Sequence, residues 1–106
     1  MGIYIGLDAG TTSLSAVAAR AEDGVLLATA TLPNTATHHT VAGGCERAEL
    51  DLAALGALSV RLLATLAERL GGRAREVAGI GVTGQMHGLA LLTPAGQPLA
   101  PAITWQ

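Results

Sequence analysis

Leu52, Leu55, Leu58, Leu62, Leu63, Leu66 and Leu70 recur mostly at spacings of three and four, so they fall on one stripe of a single helix. Asp51 stands where an N-cap belongs, and Gly71-Gly72 supplies a C-terminal stop. The other periodic segments alternate at two, the period of strands. A lone helix with one apolar face has to lay that face on a sheet.

The strands can be placed in order. Ile3, Ile5 and Leu7 share one face over residues 2–8, with Asp8 at the C-terminal end. Ala9-Gly10-Thr11-Thr12-Ser13 is a small polar turn, and residues 14–21 return with Leu14, Ala16 and Ala18 alternating against Ser15, Val17 and Ala19. Glu22-Asp23-Gly24 turns the chain again, Gly24 being suited to positive φ. Residues 25–32 then close a three-stranded antiparallel meander that ends at Pro33. Residues 34–44 lack any period and are expected to form a long loop. Residues 77–83 read as a buried strand in which Gly79 and Gly81 allow close approach of other backbone. Residues 88–92 and 99–105 are expected to pair as a second hairpin, around a turn over 93–98 shaped by Pro94 and Gly96. Strand, strand, strand, helix, strand, hairpin describes a mixed α/β sheet with the first and fourth strands able to lie side by side.

Composition narrows the function. The chain has 106 residues, half of them hydrophobic, enough for one domain and too short for two. With 2% aromatic residues, Tyr4 and Trp105, the core has to be aliphatic. A net charge of −2 offers no basic face for nucleic acid, and two aromatics make no base-stacking platform. The six cations are all Arg, which excludes a P-loop lysine. Cys45 is alone, so no intrachain disulfide forms and nothing implies an oxidising compartment. The longest apolar stretch is interrupted by Asp51, Arg61, Glu68 and Arg69, and the first residues lack a basic n-region. No membrane association and a cytoplasmic location are the expectation.

Two segments carry candidate chemistry. In Asp8-Ala-Gly-Thr-Thr-Ser13 a carboxylate ends a central strand and a Gly-led turn with three hydroxyls follows. Asp8 can hold a divalent cation while turn N–H groups and hydroxyls face phosphate oxygens. The competing reading is a plain hairpin turn bonding its own backbone. In Gly84-Gln-Met-His-Gly88, Gln85 and His87 can hydrogen-bond the hydroxyls of a polar ligand while Met86 meets its carbon skeleton. A structural His beside Gly competes with that. Gly79-Ile-Gly81-Val-Thr-Gly84 fits G-x-G-x-x-G but lies within a strand, with no Asp or Glu after Glu76, so dinucleotide binding is rejected. His38, His39, Cys45 and His87 lack zinc-ligand spacing, and Ser13 and Ser15 lack a nucleophile elbow.

Taken together, Ile-Gly-Leu-Asp-Ala-Gly-Thr-Thr-Ser13, Gly-Ile-Gly-Val-Thr-Gly-Gln-Met-His-Gly88 and Pro-Ala-Ile-Thr-Trp-Gln106 resemble, in order and spacing, the opening of an FGGY-family carbohydrate kinase. Gly-Gln-Met-His-Gly is similar to the ketose kinases of the xylulokinase and sedoheptulokinase-like branches, while Trp105-Gln106 departs from the Trp-Asn-Asp usual in xylulokinase. The resemblance implies a truncated ribonuclease-H-like (actin/Hsp70-type ATPase) fold, with residues 1–106 a partial N-terminal domain. It implies ATP and Mg²⁺ as cofactors, and transfer of the γ-phosphate to a hydroxyl of a ketose. By position, Asp8 would face the metal, and Gly10, Thr11 and Thr12 would form the phosphate hairpin. Gln85, Met86, His87, Trp105 and Gln106 would line or approach the sugar. Ser15 stands where family members often carry Lys or Arg, which removes one cationic phosphate contact. The family's general base is an Asp much further along and its adenine pocket is C-terminal, so the chain alone is expected to be inactive, awaiting a C-terminal half or associating with itself. A non-catalytic sugar- or partner-binding module on the same superfold is the alternative.

Overall fold

A computed structural model of the chain describes residues 2–42, 45–84 and 89–103. Strands β1 (Ile3–Ala9), β2 (Ser13–Arg20) and β3 (Leu26–Pro33) form the expected meander, and Gly24 makes its turn at a φ of 72°. After β4 (Thr37–Ala42) and β5 (Cys45–Leu50) comes α1 (Leu52–Leu70), then β6 (Val77–Gly84) and the short β7 (Ala102–Ile103). The main sheet runs β3-β2-β1-β6, with β6 parallel to β1 and the other neighbours antiparallel. The expected side-by-side placing of the first strand and the strand after the helix is therefore found.

The leucine stripe does what its spacing requires. Leu62, Leu66 and Leu70 are buried against Ile3, Ile5 and Leu7 of β1 and Leu14, Ala16 and Ala18 of β2, with Ala30 of β3 in the same core. The small alanines on the sheet let leucines of the helix approach without any aromatic filler. At the helix start Asp51 accepts from Ala54 N–H at 3.0 Å, a cap of the kind worth about 1 kcal/mol. At its end Gly71 takes a φ of 60° and donates to the Ala67 and Glu68 carbonyls. Arg69 reaches from the last turn to the Thr29 carbonyl on β3.

Four expectations are corrected. Residues 34–44 are not a loop throughout, because β4 pairs antiparallel with β5 from Thr37↔Leu50 to Ala42↔Cys45. This hairpin heads a second sheet, β4-β5-β7, rooted in a small core of Ala36, Leu50 and Ala102. Its sequence, Thr-His-His-Thr-Val-Ala and Cys-Glu-Arg-Ala-Glu-Leu, carries few large apolar residues, so no apolar alternation announces it. β6 is likewise not buried: it is an edge strand, with Ile80 at 51% and Val82 at 70% exposure. They pair with Ile5 and Leu7 on the helix side of the sheet, but α1 lies across β2 and β3 and leaves them uncovered. Close approach is found at Gly79, where a Cβ would stand 3.2 Å from the Tyr4 ring, and not at Gly81, which faces open space.

Residues 88, 104 and 105 of the expected second hairpin lie outside the described residues, and among those described it is a turn with a short ladder. Thr93 N–H donates to the Gln97 carbonyl, Leu99 N–H donates to the Leu91 carbonyl, Gly96 takes a φ of 85°, and a bridge joins Leu92 and Pro98. Pro98 and Pro101 offer no N–H to a ladder. Ala102 and Ile103 pair with Leu50 and Glu49 of β5 instead.

Candidate functional site

The β1–β2 connection is tight because Gly10 makes it so. Gly10 N–H donates to the Ser13 carbonyl at 2.9 Å, and a Cβ on Gly10 would lie 2.8 Å from that same oxygen. Thr11 and Thr12 form the tip, half-buried and exposed respectively. Among the described residues, their N–H groups and hydroxyls donate no hydrogen bond. Four donors at one tip, two amides and two hydroxyls, are thus without a partner among the described residues, a set suited to anionic oxygens.

Asp8 sits one pleat back from that tip. Its cross-strand partners are Ser15 on β2 and Thr83 on β6, and Ser15 pairs in turn with Thr31 on β3. Since directly paired residues share a face, Thr31, Ser15, Asp8 and Thr83 make one polar row across all four strands, on the side away from α1. Ser15 Oγ lies 3.4 Å from Thr31 Oγ1. The exposed Asp8 carboxylate accepts no hydrogen bond and makes no ion pair among the described residues. Behind the row, Gly6 and Gly81 lie side by side and give the sheet a floor without side chains. A hollow of about 440 Å³ opens there, lined by Gly6, Asp8, Ser15, Val17, Gly81 and Thr83.

Asn34 ties the hairpin down. Its Nδ2 donates to the Gly10 carbonyl at 2.9 Å, and its backbone N–H donates to the Thr12 carbonyl at 2.9 Å. Its Oδ1 accepts from Ala36 N–H at 3.0 Å. Asn34 and Thr83 carry no sign of this placement in the sequence. Asn after Pro33 signals only a turn, and Thr83 shows itself only once β6 is in register with β1.

Of the expected site residues, Asp8, Gly10, Thr11 and Thr12 come together at one end of the main sheet. Gln85, Met86, His87, Trp105 and Gln106 lie outside the described residues. The strand leading to the first three ends at Gly84, in register with Ala9 and so beside the hairpin. The two other aspartates are committed elsewhere. Asp23 is clamped by Arg20 at 2.7 Å and 3.0 Å, which holds its carboxyl below the ordinary range, with Val25 N–H adding to the effect. Asp51 caps α1. Among the described residues no three His, Cys, Asp or Glu side chains converge as a metal cage, and no helix is long and apolar enough to cross a membrane.

Known proteins share this fold. The chain is 33% identical over 103 residues to the xylulose kinase of Streptomyces coelicolor, covering 97% of this chain and 19% of that protein. The xylulose kinase structure from Rhodospirillum rubrum superposes with a TM-score of 0.80 at 34% identity, over 96% of this chain and 20% of that one. The gluconate kinase structure from Lactobacillus acidophilus gives a TM-score of 0.81 at 26% identity, over 98% and 20%. The chain therefore spans about a fifth of the length of these relatives. Their likeness places its sheet and helix in the ribonuclease-H-like, actin/Hsp70-type fold. Its residues 3–106 match the N-terminal domain of the FGGY family of carbohydrate kinases, and the chain belongs to that family.

Proposed function

We propose that the β1–β2 hairpin is the phosphate-binding element of an ATP-dependent sugar kinase, with Asp8 turned to the divalent cation. The whole protein would transfer the γ-phosphate of ATP to a hydroxyl of a ketose of the xylulose or sedoheptulose class. The observation that carries this reading is the meeting, at one sheet end, of an unpaired carboxylate with four donors on Thr11 and Thr12, all without a partner among the described residues. A hard oxygen ligand beside amide and hydroxyl donors suits Mg²⁺, which is held through one or two carboxylates plus phosphate oxygens and water more often than by an all-protein cage. Bound there, the cation would neutralise charge on the transferring phosphoryl group.

The chain's own residues then divide the work. Gly10 keeps the tip narrow enough for the Thr11 and Thr12 amides to point at phosphate oxygens, and Asp8 fixes the metal side. Ser15 presents a hydroxyl where a cation would add charge, so this hairpin relies on its N–H groups and the metal for neutralisation. Gln85, Met86, His87, Trp105 and Gln106 remain the proposed sugar contacts. The general base is not among Asp23 and Asp51, whose carboxylates are spent on Arg20 and on the helix cap.

Calorimetric titration with ATP, with and without Mg²⁺, tests the reading. The chain should bind MgATP more tightly than ATP alone, and Asp8→Asn should weaken MgATP binding by about tenfold, or roughly 1.4 kcal/mol. Unchanged MgATP affinity in Asp8→Asn would exclude Asp8 as the metal-side residue. On the same reading Ile80 and Val82 are covered by further chain in a whole kinase. By itself the chain should self-associate as its concentration rises in sedimentation velocity, and a clean monomer throughout would count against this.

A further inference from the structure

We infer that Asn34 is the positioning residue of the phosphate hairpin, locking its tip to the root of the second sheet; this rests on the phosphate-binding reading above. Asn34 makes three hydrogen bonds in two directions. Toward the hairpin, its Nδ2 holds the Gly10 carbonyl and its N–H holds the Thr12 carbonyl, so both ends of the tip are fixed from outside the turn. Away from it, its Oδ1 holds Ala36 N–H, and Ala36, fully buried, accepts from Asp51 N–H at the start of α1. Ala36 also belongs to the small core with Leu50 and Ala102, on which β5 and β7 meet.

One side chain thus joins the hairpin, the helix N-terminus and the second sheet. The asparagine amide is needed because it donates at one end and accepts at the other. With the Gly10 carbonyl held by Asn34, the Thr11 N–H of the same peptide plane is turned the opposite way, and with the Thr12 carbonyl held as well the tip between them is ordered before a polyphosphate arrives. Without the clamp, the tip would have to be ordered at the moment of binding.

Asn34→Asp keeps an acceptor for Ala36 N–H but has nothing to donate to the Gly10 carbonyl, and Asn34→Ala loses both side-chain bonds. The readouts are melting temperature, amide exchange at residues 10–12, and binding of Mg²⁺-tripolyphosphate followed by amide shifts. Both variants should stay folded with a melting temperature lowered by about 5–15 °C, exchange faster at the tip, and bind several-fold to about tenfold more weakly, as loss of one or two hydrogen bonds gives. Wild-type affinity in either variant would overturn the inference while leaving the phosphate reading intact. Global unfolding of both would make Asn34 a structural residue and overturn it as well. A wild-type chain that ignores Mg²⁺-tripolyphosphate would take down the phosphate reading and the inference together.

Discussion

Leu66→Ala should remove about 2–5 kcal/mol of stability, out of the roughly 5–15 kcal/mol that a natural domain possesses. Leu66 is fully buried, and so are the neighbours that would have to fill the space it leaves. On the sheet side these include Ala16, Ala18 and Ala30, which have no rotamers with which to follow a retreating methyl group. The core has no aromatic ring to swing into the gap, so most of the cavity should persist. Urea unfolding followed by circular dichroism measures the loss. Val60→Ala on the same helix provides the contrast: Val60 is 68% exposed and its truncation should stay within about 0.5 kcal/mol. Equal effects at the two positions would mean that the stripe does not face the sheet.

Gly10→Ala should have the largest effect on the site. Its Cβ would enter within 2.8 Å of a backbone carbonyl oxygen that Gly10 also binds through its N–H, and a backbone atom cannot rotate away. The hairpin has to open, at a cost of about 1–3 kcal/mol for strain of this kind. The sheet behind it should persist, since the β1–β2 register continues from Ala9↔Leu14 down to Ile3↔Arg20. Gly56→Ala offers the opposite sign. It lies inside α1 with open space around it, and the change should stabilise by about 0.5–1 kcal/mol. Thermal melts of both variants, with Mg²⁺-tripolyphosphate titrations beside them, separate the two effects. Full binding by Gly10→Ala would show that the narrow tip is not what receives the phosphate.

The elements legible in the sequence are those whose signals are local. Ile3, Ile5 and Leu7 alternate, the leucines repeat, and Asp51 and Gly71 mark the helix ends by their own backbone chemistry. The β4–β5 hairpin is hard to see in sequence because its residues are mostly polar and the buried core at its root, among the described residues, is small: Ala36, Leu50 and Ala102. The pair Gly43-Gly44 between the two strands is a hairpin signal that could have revealed it. The exposure of β6 is not legible in sequence, since Ile80 and Val82 look like core residues, whereas their exposure depends on where α1 crosses the sheet. In the site, Asp8, Gly10, Thr11 and Thr12 were readable as a short motif. Asn34 was not, because its bond to Gly10 closes a gap of 24 residues that only the folded meander brings together.

On the proposed reading the Thr11 and Thr12 amides, beside Asp8, receive the phosphates. Titrating the isotopically labelled 106-residue chain with Mg²⁺-tripolyphosphate and following its backbone amide resonances tests it directly. Saturable shifts concentrated at residues 8–13, and lost when Mg²⁺ is withheld, are the predicted result. Shifts absent from these residues, or equal with and without Mg²⁺, would contradict it.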